Sequence, residues 1–179
     1  MLSAYNNVEF KNLAHSVILV YTNHMLIFFI GAGVLLAVDL TAKAVFMSMD
    51  FTLIPGVLSV RPLERLNEGA AFGILQGAQV FLIIMTFVIL AAGIFLYFRF
   101  EQGRGSKLFN IGCAFVLGGA LGNLTDRIFL PGVRDFICFD FFDFPIFNLA
   151  DVFLNVGMVL LAVYFLFVYK GTKHANVQG

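Results

Sequence analysis

Two carboxylates, Asp135 and Asp151, stand at the edges of very apolar segments, and amides and further charges are spaced around them. A charge near the hydrocarbon of a membrane costs at least ~2.5–3.5 kcal/mol at a helix centre on insertion scales, so its presence there calls for a function and a partner. Asn148, Asp151 and Asn155 are spaced i, i+3, i+7, which lines them along one face of a helix. Asn123 precedes Asp126 and Arg127 by one turn. As sequence neighbours those two do not face each other, so Arg127 is expected to pair with a carboxylate elsewhere through its planar fork. Asp39 and Lys43 are i, i+4 and are expected to neutralise each other on one helix face, a structural pairing rather than a catalytic one. Two carboxylates held close together share one proton and titrate as a unit, which supplies an acid and a base to one site. Such a pair can activate water against a peptide carbonyl with no covalent intermediate. Spacing alone leaves ion pairing, a proton relay and a peptidase dyad all open.

The elements that must position these groups are membrane helices. Of 179 residues, 60% are hydrophobic and 12% charged, with a mean hydropathy of +0.93, far from the composition of soluble domains. Four spans are expected, at about 25–46, 80–98, 108–124 and 146–169, each near the ~20 residues needed to cross the hydrocarbon core. They form a single integral domain over 1–179, preceded by a mixed polar and apolar leader of about 24 residues. No small-residue cleavage region follows the first apolar run, so it reads as an uncleaved span. Gly118 and Gly122 make a GxxxG step in the third span, suited to close helix approach. The outer loops, about 47–79 and 125–145, differ in texture. Pro55, Gly56 and Pro62 punctuate the first and predict short strands and turns between 50 and 66.

Charge orients the chain. The leader, the Arg99 loop and the tail carry six Lys/Arg against Glu9 and Glu101, whereas the two outer loops carry four Arg against seven acids. The positive-inside rule then places both termini in the cytoplasm and the carboxylates near the extracytoplasmic surface. Net charge is zero, with no basic blocks, which argues against nucleic-acid binding. Cys113 in a span and Cys138 in a loop make neither a CxxC pair nor a disulfide framework. His15, His24 and His174 lie near the termini, away from the carboxylates, so neither a metal nor another cofactor is expected.

NEGAAFG (Asn67 to Gly73), GGALGNLTDR (Gly118 to Arg127), GVRDF (Gly132 to Phe136) and FNLAD (Phe147 to Asp151), in this order across four spans, closely resemble the bacterial lipoprotein signal peptidases, the signal peptidase II family. The likeness covers about residues 25 to 170. It implies a polytopic α-helical membrane protein of four helices with a small extracytoplasmic β-cradle, lying multi-pass in the bacterial cytoplasmic (inner) membrane. The activity it implies is that of an aspartic endopeptidase that removes the signal peptide of diacylglyceryl-modified prolipoproteins, cutting just before the lipidated cysteine. Asp135 and Asp151 match the family's catalytic aspartates. Asn67, Gly69, Asn123, Asp126, Arg127 and Asn148 match positions that bind substrate or support the site, as do Asp39 and Lys43, although Ala42 stands where Ser or Thr is usual. Membrane lipids are the implied surroundings, and a monomer the expected state. The leader, the Phe-rich FDFFDFP segment (Phe139 to Pro145) and the absence of Trp depart from the family pattern and bear on the lid and on substrate preference. The competing classes are a small proton-coupled transporter using Asp39, Asp126 and Asp151 as relay carboxylates, and a non-catalytic assembly protein packed through Gly118 and Gly122.

Overall fold

The computed structural model describes residues 2–69, 74–101 and 106–169. Four long helices carry the chain: α1 (Leu2–Phe46), α2 (Gln79–Glu101), α3 (Lys107–Phe129) and α4 (Leu149–Val163), the last extended by a π-helical turn over Tyr164–Val168. Within them the apolar, membrane-length stretches are Thr22–Phe46, Gln79–Arg99, Lys107–Phe129 and Leu149–Val168. α1 also runs through the residues read as a leader. The tail beyond Tyr169 and residues 70–73 of the NEGAAFG segment lie outside the described residues.

Two span boundaries differ from the expectation. α3 continues past 124 to Phe129, so Asp126 and Arg127 belong to the helix and not to the following loop. The polar residues from Asn123 onward end the apolar run, but nothing breaks the backbone before Pro131; the Leu130 amide still closes onto the Asp126 carbonyl at 2.7 Å. α4 starts at Leu149 rather than 146, with Asn148 as its N-cap. Ile146 and Phe147 are held outside the helix because Phe147 pairs in antiparallel fashion with Ile137.

α3 is the central and most buried helix. Its small residues let backbones meet. At Gly118 a Cβ would strike Leu35 and Ala32 of α1, at Gly119 the Ala150 carbonyl and Leu154 of α4, and at Gly122 the Asp39 carboxylate. Without interhelical hydrophobic drive in lipid, such close approach is what packs membrane helices. α2 rides outside. One end is held by Gln79, whose Nε2 donates to the carbonyls of Arg127 (2.8 Å) and Leu130 (2.7 Å) at the C-terminus of α3. At the other end, Tyr97 stacks on Phe28 and donates its hydroxyl to Asn110 Oδ1 (2.6 Å).

The outer loops zip together. β1 (Phe51–Ile54) and β2 (Leu58–Val60) form the expected hairpin, turning through Gly56 at φ +71°. β2 then pairs with β3 (Ile137–Phe139), a strand the sequence reading left as loop, which places Cys138 on the sheet opposite Ser59. The pairing extends beyond the strands through Arg61 to Phe136, Leu63 to Asp135 and a reciprocal Asn67–Val133 bridge. Beneath it Phe136, 1% exposed, packs with Ala42 and Val60. That burial seats the segment carrying Asp135 over the ends of α1 and α4.

Candidate active site

Asp135 lies in the extended run between α3 and β3. Its carbonyl accepts from the Leu63 amide at 3.1 Å, and the next amide, that of Phe136, donates to Phe147 at 3.0 Å. With its backbone tied on both sides, the side chain points at the N-terminus of α4. Oδ1 accepts from Asn148 Nδ2 at 2.6 Å, and Oδ2 from Asn67 Nδ2 at 2.9 Å.

Asp151 sits in the first turn of α4 in a capping box. Its amide donates to Asn148 Oδ1 and its Oδ2 accepts from the Asn148 amide, each at 3.1 Å. Oδ1 accepts from Asn123 Nδ2 of α3 at 2.8 Å. Each of the four carboxylate oxygens thus receives an N–H from an Asn residue, and Asn148 touches both acids. Asn155 lies one turn further, exposed, bonded to the Asp151 carbonyl.

Behind the pair lies a fully buried ionic cluster. Lys43 Nζ is 2.8 Å from Asp39, 3.2 Å from Asp126 and 3.0 Å from Asn123 Oδ1. The expected Asp39–Lys43 pairing is present, and Asp39 additionally accepts from the Ala150 amide at 2.8 Å, joining α1 to α4. Arg134 closes the cluster. Its Nη2 and Nε reach Asp126 Oδ1 at 2.7 and 3.2 Å, and its amide reaches Oδ2 at 3.0 Å.

Here the expectation for Arg127 is corrected. Its Nη2 donates to the Gly69 carbonyl at 3.0 Å, and no ion pair under 4 Å joins it to a carboxylate among the described residues. The fork that grips a carboxylate belongs to Arg134, because the Pro131–Gly132 turn brings the chain back over the end of α3. Gly69 in turn donates its amide to Asn67 Oδ1 at 3.1 Å, which orients the Asn67 amide toward Asp135. A Cβ on Gly69 would run into the Ile74 carbonyl.

These groups open onto a cavity of about 380 Å³, whose lining combines the polar Asn67, Asn123, Arg127, Asp135, Asp151 and Asn155 with the apolar Val133, Phe139, Phe144, Phe147, Val152 and Val156. The Phe-rich segment expected to bear on substrate preference supplies much of the apolar wall. FDFFDFP folds into a cluster in which Phe139 packs on Phe141, Phe142, Phe144 and Phe147. Asp140 ties it to β2 through Ser59 and to Arg61 at 3.2 Å. Alternation of Phe with Asp was the available signal.

Electrostatics separate the two acids. Asp135 is 2% exposed. Burial pushes its carboxyl up to about 6, the Asp151 charge adds to this, and the hydrogen bonds from Asn67 and Asn148 only partly oppose it. Asp151 is less buried, in the first turn of α4.

The sequence profile described as Signal peptidase (SPase) II matches residues 31–167. The chain belongs to the signal peptidase II family. It is 32% identical over 160 residues to the lipoprotein signal peptidase of Enterococcus faecalis, covering 87% of this chain and 97% of that protein. It is 35% identical over 156 residues to that of Bacillus pumilus, covering 83% and 98%. A bacterial membrane enzyme solved by the in meso method at 2.3 Å superimposes with a TM-score of 0.69 at 32% identity, over 81% of this chain and 88% of that one. The signal peptidase II chain is therefore a multi-pass helical membrane peptidase. The transporter reading falls with this result, and its relay does not form: Asp39 and Asp126 are locked on Lys43, while Asp151 is held by amides.

Proposed function

We propose that Asp135 and Asp151 are the catalytic pair of this signal peptidase II, and that it removes the signal peptide from diacylglyceryl-modified prolipoproteins by cutting before the lipidated cysteine. The observation that carries the assignment is the convergence of these two acids, from separate elements, on one cavity with all four oxygens held by amides. Asp151, in the first turn of α4, is the base. It takes a proton from water as the water oxygen attacks the scissile carbonyl carbon. Asp135, whose pKa is raised by burial, is the acid: in its protonated form it hydrogen-bonds the developing oxyanion, and as the C–N bond breaks it gives its proton to the leaving nitrogen, so that the turnover ends with Asp135 ionised and the water-derived proton on Asp151. Arg127, Asn67 and Asn155 line the same cavity and suit peptide carbonyls and amides, and the phenylalanine wall suits the apolar part of the substrate.

The charge asymmetry of the loops supports cytoplasmic termini and a site near the extracytoplasmic surface, where a lipid-anchored substrate presents its scissile bond. The two acids and the amides that hold them come from α3, α4 and both outer loops, which suits a single integral domain in the cytoplasmic membrane. The test is cleavage of a purified diacylglyceryl-modified prolipoprotein by detergent-solubilised enzyme, read by gel shift. Wild type should cut, and folded Asp135→Asn and Asp151→Asn should each lose at least ~1,000-fold. Wild-type turnover by either variant would refute the assignment.

A further inference from the structure

The proposed dyad needs the Asp151 carboxyl group held in one orientation, and the buried Lys43 contributes to that. An ammonium with no solvent exposure at the end of α1 needs partners, and two carboxylates, Asp39 and Asp126, would suffice for charge. Its third contact goes instead to Asn123 Oδ1 at 3.0 Å. Lysine carries three donors and no acceptor. The Asn123 amide must therefore turn its oxygen to Lys43, and that oxygen also takes Asn148 Nδ2 at 3.0 Å. Its nitrogen can then only face Asp151 Oδ1, at 2.8 Å. Asp151 Oδ1 is thereby tied to the third helix as an acceptor. The other oxygen of Asp151 already receives the Asn148 amide, whose direction the backbone sets.

We propose that Lys43 is a positioning residue for Asp151: by locking the Asn123 carbonyl it obliges the Asn123 amide to donate to Asp151, which holds that carboxyl group in one orientation at the cavity. Arg134 shares the load by pairing with Asp126, which leaves the third N–H of Lys43 free for Asn123. This deepens the proposed function and rests on it.

A double-mutant cycle tests it, with Tm recorded for every form. Lys43→Met alone strands the buried Asp39 carboxylate, while Asp126 keeps Arg134, so the first arm is Asp39→Asn with Lys43→Met, which keeps the cluster neutral. The second arm is Asn123→Ala. The lone Lys43→Gln variant serves as a further check, since its amide can accept as well as donate and so permits Asn123 to flip. On the lipid-modified prolipoprotein, the first arm and Lys43→Gln should lose roughly 100-fold in kcat with KM within about two-fold, the scale expected when a reacting group is misplaced. The combined variant should be no slower than Asn123→Ala, because Lys43 acts through Asn123. Losses that multiply, or folded Lys43 variants with kcat near wild type, overturn the relay while leaving the dyad standing. Failure of both Lys43 forms to fold assigns the lysine to the scaffold and also overturns it. An inactive wild type refutes the proposed function itself, and the relay with it.

Discussion

The burial of Asp135 has a measurable thermodynamic consequence that does not require substrate. Its carboxyl titrates at about 6 in the folded protein against an ordinary 3.8. Between those values the native state holds a proton that the unfolded chain has released. Stability therefore falls as pH rises through that window and levels off above about 6. At 1.36 kcal/mol per pH unit, the roughly two-unit gap makes the loss about 3 kcal/mol between pH 4 and 7. Asp135→Asn cannot titrate. One of its amide hydrogens must face the Asn67 or Asn148 donor group, which adds a penalty, but that penalty does not depend on pH. The stability of Asp135→Asn relative to wild type should thus rise by about 3 kcal/mol from pH 4 to pH 7, while groups common to both proteins cancel. For a chain of this length that corresponds to about 6–12 °C in the difference between the two Tm values. The assay is thermal unfolding of both detergent-solubilised proteins at pH 4, 5, 6 and 7. Parallel Tm curves, or a relative Tm that declines with pH, would show that Asp135 is not the buried, proton-retaining member of the pair.

Two other perturbations address packing and the cavity wall. In Gly122→Ala the new methyl would overlap the Asp39 carboxylate and press on Ala150, so thermal unfolding should show a loss of about 1–3 kcal/mol; an unchanged Tm would mean that α1, α3 and α4 do not meet as closely as described. Phe144→Ala should raise KM several-fold with kcat retained, since Phe144 belongs to the apolar lining of the cavity; a fall confined to kcat would contradict a binding role.

What could be read from the chain divides along the range of the interactions involved. Local patterns carried the four helices, the β1–β2 hairpin and the Asp39–Lys43 pair, and motif likeness singled out two aspartates that the fold brings to one cavity. Where the third helix ends was misread because hydropathy and helicity part company there: Asn123, Asp126 and Arg127 lower the first and leave the second intact up to Pro131. β3 was missed because three residues, Ile137 to Phe139, become a strand only when β2 is alongside, and that pairing spans about eighty residues. The same reversal of the chain decides which arginine meets Asp126. On the helix Arg127 is its neighbour yet points to Gly69, while Arg134, eight residues on, folds back and takes the carboxylate. The amides pose a sharper case. Sequence places Asn67, Asn123 and Asn148 near the acids, but an asparagine is both donor and acceptor, and its contribution reverses with a flip of the side chain. Direction is set by partners that cannot reverse: the Gly69 amide for Asn67, the Asp151 amide for Asn148 and the Lys43 ammonium for Asn123. Two of these are backbone groups that any residue could supply. Only the third depends on a side chain that mutation can remove, and this is why the placement of Asp151 should be sensitive to a lysine that makes no ion pair with either aspartate of the dyad.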